Sequence, residues 1–289
     1  MIARPFTPLE EKSLQTTEVA PTGTAFSNGV YKKAFPRMGK AFSLRHLAEC
    51  CIIKRKGGKR MDQAKSGKLI VLEGVDGSGK GTQAKLLLER LRHEGYQAAT
   101  AAFPQYGKKS AGIIEEYLNG AYGKPDEISP YASSLFYALD RFDASRGIRQ
   151  LIADGNAVVL DRYVDSNAGH QGGKIQDMRE REAFLSWLYN IEFQILGVPK
   201  PDLTIILHVP PEISQQLVAR KEARSYLSHG LQDGHEADLI HLKNAETAYL
   251  WLAKKFPQDH ILIECVKNSK LLTPQEVHEL VWKIVEKIV

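Results

Sequence analysis

Between positions 69 and 82 the chain reads Leu-Ile-Val-Leu-Glu-Gly-Val-Asp-Gly-Ser-Gly-Lys-Gly-Thr. Its glycines and lysine have the spacing that phosphate chemistry needs. Gly74, Gly77 and Gly79 allow consecutive backbone N–H groups to converge on phosphate oxygens, where a Cβ would block the approach. Lys80 follows at the start of an amphipathic segment (Leu86, Leu87, Leu91), so its ammonium and a helix N-terminus face the same anion. Gly74, Val75, Asp76, Gly77, Ser78, Gly79, Lys80, Gly81 and Thr82 therefore form a candidate nucleotide-phosphate loop between a buried strand and a helix. Position 81, where a Ser or Thr usually meets Mg²⁺, is glycine, and the hydroxyl comes one place later at Thr82. The metal must then find its carboxylates elsewhere.

Asp161-Arg162-Tyr163 follows directly on the apolar run Ala157–Leu160. A carboxylate at such a strand end can orient Mg²⁺, and the next guanidinium can bind a phosphate bidentately. The competing explanation is a strand-end salt bridge. Tyr137 and Arg141 are four apart and share one helix face. An aromatic plate beside a planar donor suits a pyrimidine, although an aromatic on a helix is more often core. Arg220 and Arg224 are likewise four apart, at a basic helix end leading into a polar stretch. They could clamp a transferring phosphoryl group or form a solvated basic face.

Elements must place these groups together. Short apolar strands near 69–73, 97–102, 157–160, 203–209 and 261–265 alternate with helical patterns near 80–94, 110–119, 129–153, 178–196, from Pro211 onward, up to Lys255, and 273–287. This alternation predicts an α/β fold: a parallel sheet of about five strands with helices on both faces. Ligands then gather at the C-terminal ends of the strands, where each motif above falls.

The chain has 289 residues, 43% hydrophobic and 25% charged, enough for one large domain. No apolar run approaches the roughly 20 residues that span a bilayer. Cys50, Cys51 and Cys265 have no metal-ligand spacing, which points to a reducing compartment. The net charge of +5 conceals two parts: residues 1–60 carry +8 and the remainder −3. Residues 1–66 lack hydrophobic periodicity and hold the basic cluster 54–60, so they are read as a disordered extension to a folded domain over 67–289. A transit peptide or a nucleic-acid-binding arm are the functional alternatives for the leader. The expected location is cytoplasmic, with organellar import through the leader left open.

Asp161-Arg162-Tyr163, the loop Gly74–Lys80 and Leu196-Gly-Val-Pro-Lys-Pro-Asp202 together resemble the thymidylate kinase family of P-loop nucleoside-monophosphate kinases, over about residues 68–287. The resemblance implies transfer of phosphate from ATP, with Mg²⁺, to dTMP, and a homodimer. It implies that Phe103, Pro104 and Tyr106 pack on the base and reach the monophosphate, with Lys108 and Lys109 near that edge. Tyr137 would stack on the base with Phe136 facing the core, or the two would exchange roles; Arg141 would bond the base. Asn167 and Gln171 would bond the base and its surroundings. His170 falls where relatives often have Tyr or Phe against the sugar 2′ position. Asp76 would contact the sugar or the metal. A lid over about 219–236 would bring Arg220 and Arg224 to the phosphoryl group, and Glu236 to the metal or substrate. Asp161, Thr82, Asp76 and Glu236 form the implied metal set. Lys80, Arg162, Arg220 and Arg224 would neutralise charge during transfer. The loop's Gly-Lys-Gly-Thr also resembles adenylate kinases, so another monophosphate acceptor, or a nucleotide-binding protein without turnover, stands as the alternative.

Overall fold

The computed structural model describes residues 67–124, 127–225 and 239–289, with 220–225 described by backbone alone. The basic leader, Cys50 and Cys51 and the Asp233–Glu236 segment lie outside the described residues.

Five strands form one parallel sheet: β1 (Lys68–Glu73), β2 (Ala98–Ala102), β3 (Ala157–Asp161), β4 (Leu203–His208) and β5 (His260–Glu264), in the spatial order β2-β3-β1-β4-β5. Central β1 shows why its apolar run is continuous. Leu69 and Val71 point to one face of the sheet, and Ile70 and Leu72 to the other, each into its own core. All four are at most 1% exposed, so each contributes roughly 1.5–3 kcal/mol through burial.

One face is covered by α1 (Lys80–His93) and α8 (Pro274–Val285). Thr273 starts α8 with a reciprocal capping box: its hydroxyl accepts from Glu276 N–H, and the Glu276 carboxylate accepts from Thr273 N–H. The other face carries α3 (Pro130–Ala153), α4 (Val164–Gly173), α5 (Met178–Tyr189) and α7 (Leu239–Lys255). α6 (Pro211–Ser225) and a two-stranded hairpin, β6 (Val266–Lys267) with β7 (Lys270–Leu271), add Ile213, Leu217 and Leu271 to the first of these cores, and α2 (Gly112–Leu118) packs on α3.

The parallel sheet and its five strands match the sequence reading to within a residue or two. Two elements differ. The helix expected over 178–196 is α-helical only to Tyr189 and continues as a π-helical stretch, Asn190–Ile195. The segment after Asp161-Arg-Tyr163 is helix α4, whose glycines disguise it. Those glycines have a packing reason. A Cβ on Gly169 would stand 2.5 Å from the Tyr249 ring, and one on Gly173 would stand 2.9 Å from the Asn244 backbone. Their absence lets α7 lie close against α4.

Because β1 has β3 on one side and β4 on the other, the chain leaves the sheet in opposite directions beside it. The crevice opens there, at the strand C-terminal ends.

Candidate active site

Beyond Glu73 the chain turns through Gly74, Gly77 and Gly79, at φ 138°, 82° and 90°. All three lie in the region that side chains disfavour. Gly79 caps α1 without a side-chain hydrogen bond, and the first turn of α1 contains no acid. Its leading N–H groups are therefore left to an anion. A Cβ on Gly77 would meet Ser214 O at 2.6 Å, because α6 backs the loop closely; Ser214 Oγ also donates to the Asp76 carbonyl. Lys80 is buried, and its Nζ donates to the carbonyls of Gly74 (3.0 Å) and Val75 (2.9 Å). The ammonium is thus held at the loop.

The glycine at position 81 has a structural reason. A Cβ there would lie 2.9 Å from Asp161 Oδ2, so its absence admits the carboxylate to the start of α1. Thr82 and Asp76 line the same end of the crevice, while the buried Ser78 hydroxyl has no partner among the described residues. That donor set is all oxygen, as a hard divalent cation prefers. No group of three His, Cys, Asp or Glu among the described residues is arranged to hold a metal by itself.

At the end of β3, Arg162 adopts φ 67°, a strained conformation for a residue with a side chain. Its guanidinium pairs with Asp76 through Nη2 and meets His170 Nε2 through Nη1 at 3.0 Å. The backbone is held beneath it by Glu73, a fully buried carboxyl. Glu73 accepts from Tyr163 N–H (2.7 Å), Ser166 Oγ (2.7 Å) and Tyr249 Oη (2.9 Å). Burial, then the charge of Asp165, raises the Glu73 pKa, against the opposing hydrogen bond from Ser166.

Helix α3 supplies the opposite wall. Tyr137 faces the crevice, whereas Phe136 does not line it and packs against Tyr117 and Tyr122, with ring centroids at 5.7 and 5.9 Å. Phe136 is half-buried and belongs to neither hydrophobic core, so it packs on these rings beside the crevice rather than facing the core. Arg141 was read as a donor to the base; its guanidinium is largely engaged with protein. Nε lies 3.0 Å from Glu192 Oε1, Nη2 pairs with the same carboxylate, and Nη1 donates to Tyr163 O at 3.1 Å. One hydrogen on each terminal nitrogen remains beyond these bonds, and Arg141 lines the crevice while only 1% exposed. Burial works against its charge, but Glu192 outweighs that and raises the pKa.

Next to Arg141, Asp140 fixes the segment beginning at Phe103. Its carboxylate accepts from Gln105 N–H (2.8 Å) and Ser110 Oγ (2.6 Å). Phe103 packs on Tyr163, with centroids 5.7 Å apart.

These groups surround one cavity of about 620 Å³. Asp76, Gly77, Gly79, Lys80, Gly81 and Thr82 line one end; Phe103, Pro104, Tyr106, Tyr137 and Arg141 line the other. Asp161, Arg162, Asn167, His170 and Gln171 lie on the wall as well. Asn167 donates its amide to Ser134 O at 3.0 Å, which ties α4 to α3. Gly74, Val75 and Ser78 support the loop without lining the cavity, and the exposed Lys108 and Lys109 stand outside it. Arg220 and Arg224 sit on the last turns of α6 by backbone; their side chains and Glu236 lie outside the described residues. Cys265 is buried away from the cavity, and burial pushes its thiol up to about 12.

The family model described as thymidylate kinase matches residues 72–277. The chain belongs to the thymidylate kinase family. A thymidylate kinase of Mycobacterium tuberculosis is 36% identical over 187 residues, covering 64% of this chain and 85% of that one. One from Synechococcus is 32% identical over 219 residues, 75% of this chain and 93% of its own. A solved thymidylate kinase from Candida albicans, 24% identical, superposes with a TM-score of 0.59 over 77% of this chain and 92% of that chain, which shows the fold. The chain is therefore a P-loop nucleoside-monophosphate kinase.

Within this thymidylate kinase fold, sequence reasoning missed Glu73, Glu192, His241 and Tyr249. Glu73 ends an apolar strand, and Glu192 stands between Ile191 and Phe193 as the one acid of its helix end. A lone acid in such a place was the available signal. His241 and Tyr249 gave none, because their importance comes from α4, which is distant in sequence.

Proposed function

We propose that this chain transfers the γ-phosphoryl group of ATP directly to dTMP, giving ADP and dTDP for dTTP synthesis, with ATP against residues 74–82 and dTMP between α3 and α4. The observation that carries the reading is a single cavity joining a phosphate loop at one end to Tyr137 and Arg141 at the other. The acceptor oxygen already carries charge, so no base need remove a proton. The work is positioning and charge neutralisation. Tyr137 stacks on the base. Arg141, held in one orientation by Glu192, presents its remaining N–H groups to the base edge. Phe103, Pro104 and Tyr106 close the base and monophosphate side. Arg162 exchanges its pair with Asp76 for the acceptor phosphate, and Lys80 turns from the loop carbonyls to the ATP phosphates. Asn167, His170 and Gln171 line the nucleoside. Arg220 and Arg224 close on the phosphoryl group from α6, and Glu236 assists from the same lid.

Mg²⁺ carried with ATP would be held by Asp161, Thr82 and Asp76, and would neutralise charge between the β- and γ-phosphate oxygens.

The working form in this reading is a cytoplasmic homodimer. The exposed stripe of Tyr131, Leu135, Leu139 and Phe142 along α3 supplies an apolar face for a second copy to cover. Among the described residues no helix is long and apolar enough to cross a membrane. Residues 1–66 are read as an extension outside the kinase domain.

A coupled ADP assay with dTMP, dUMP, dCMP and AMP tests the acceptor. The expected result is the highest kcat/KM with dTMP. A preference for AMP or dCMP would overturn the assignment of the α3 face to thymine.

A further inference from the structure

The guanidinium of Arg162 touches the first of two linked histidines. Arg162 Nη1 lies 3.0 Å from His170 Nε2, and His170 Nδ1 lies 3.0 Å from His241 Nε2. The two rings are 20° from parallel, with centroids 5.2 Å apart, and the Tyr249 ring stands edge-on to His170 at 6.0 Å. His241 is 9% exposed and is the third residue of α7, 71 positions from His170. It reaches His170 because Gly169 and Gly173 let α7 pack against α4.

The direction of this link follows from its first member. A guanidinium has only donors, so His170 must accept at Nε2. Its proton then resides on Nδ1 and is donated to His241 Nε2. Arg162 → His170 → His241 is therefore a one-way series of donors, and the acceptor on His241 sets the tautomer and tilt of His170. Arg162 needs such an anchor. Its backbone is strained and its other terminal nitrogen pairs with Asp76, a partner it must leave when phosphate binds.

We propose that His241 is a positioning residue for the acceptor phosphate: it orients His170, which holds one edge of the Arg162 guanidinium so that the other edge can exchange Asp76 for the phosphate of the monophosphate substrate. The inference rests on the acceptor-phosphate role given to Arg162 above. It adds to the site a side chain from α7 that need not itself touch substrate. A sound hydrogen-bond acceptor is required at position 241, and an apolar ring of similar size is insufficient.

The test is calorimetric binding of dTMP and of thymidine, which lacks the phosphate, to the full chain and its variants. His241→Phe is expected to weaken dTMP binding roughly tenfold, the effect of losing support for one charge-assisted hydrogen bond, while thymidine affinity changes less than about twofold. His241→Gln, which retains an acceptor, is expected to recover most of the loss. In an Arg162→Ala background His241→Phe should have no further effect on dTMP. A merely structural role would weaken thymidine as well and would persist without Arg162; either result overturns the proposal, as does unchanged dTMP binding in His241→Phe. If His241→Phe does not fold, His241→Leu removes the same acceptor with a smaller apolar side chain and carries the same comparison. Wild-type protein that binds dTMP no better than thymidine would instead refute the acceptor-site reading itself.

Discussion

Glu192 engages the Arg141 guanidinium by two of its nitrogens, with both partners essentially excluded from water at 0% and 1% exposure. The carboxylate comes from the π-helical stretch after α5, 51 residues away, so the middle of α3 is tied to a helix end that does not line the cavity. A buried pair of this kind adds little net stability, but breaking one side leaves an uncompensated charge at a cost of about 3–5 kcal/mol. Glu192→Ala should therefore lower Tm by on the order of 10 °C, measured by thermal unfolding. Glu192→Gln keeps the shape and should fold, but should raise KM for dTMP about tenfold with KM for ATP little changed. Arg141→Ala should show the same asymmetry between substrates. Equal effects on both would make the pair purely architectural.

Lys80→Ala should fold normally, because the lysine belongs to neither hydrophobic core and its ammonium donates to loop carbonyls. Removing a cation that faces developing charge costs roughly 3 kcal/mol, so kcat should fall about a hundredfold or more. A folded variant with near-normal kcat would refute the assignment of the loop.

Gly81→Ala introduces a Cβ 2.9 Å from Asp161 Oδ2. The atom it meets is the end of a side chain, so the carboxylate can swing aside and the fold should survive. The cost should appear as a higher Mg²⁺ requirement for half-maximal rate. An unchanged Mg²⁺ dependence would separate Asp161 from the metal.

The local part of this site was legible in the sequence. The apolar run 69–72, three glycines and Lys80 define strand, loop and helix from neighbouring residues alone, and Tyr137 with Arg141 needs only helical spacing. What escaped was long-range. Glu73 gains its meaning from Tyr163, Ser166 and Tyr249, which lie 90, 93 and 176 positions away. α4 was missed because its glycines read locally as loop, whereas their value is in admitting α7. Arg141 lines the cavity, but its partner Glu192, 51 positions away, could be found only from the folded chain.

Stability should depend on pH through two histidines outside the site. His260 has both ring nitrogens beside carboxylates: Nε2 is 2.9 Å from Asp165 and Nδ1 is 2.6 Å from Asp259. His208 is likewise placed between Glu246 and Glu264. Burial disfavours both cations, but the carboxylates outweigh it, so both pKa values rise above 6.5. A raised folded-state value means that the stabilisation is complete below about pH 6.5 and is lost as pH rises through the folded values. His260 is the more buried and should dominate, because solvent screens the half-exposed His208–Glu264 pair. The Tm advantage of wild type over His260→Gln should shrink by a few degrees between pH 6 and pH 9 in thermal scans. A constant difference would show that His260 is not charged in the native state.

Removing residues 1–60 should leave kcat and both KM values within about twofold, since every group given a role lies at or beyond Glu73. If the basic cluster 54–60 binds polyanions, the truncated chain should lose a salt-sensitive affinity for nucleic acid while remaining a kinase.

Glu73 also has a consequence for the order in which the chain is made. Its Tyr249 partner is made 176 residues after it, and β1 has to wait for β3 and β4 before it has neighbours. A nascent chain ending before α7 would hold a phosphate loop in sequence, while the carboxyl behind it would lack one of its three donors. Native contacts that span so much of the chain form slowly and late. Prematurely terminated products should therefore be poor nucleotide binders and ready substrates for proteolysis, so that phosphoryl-transfer competence arises only once synthesis has passed Tyr249.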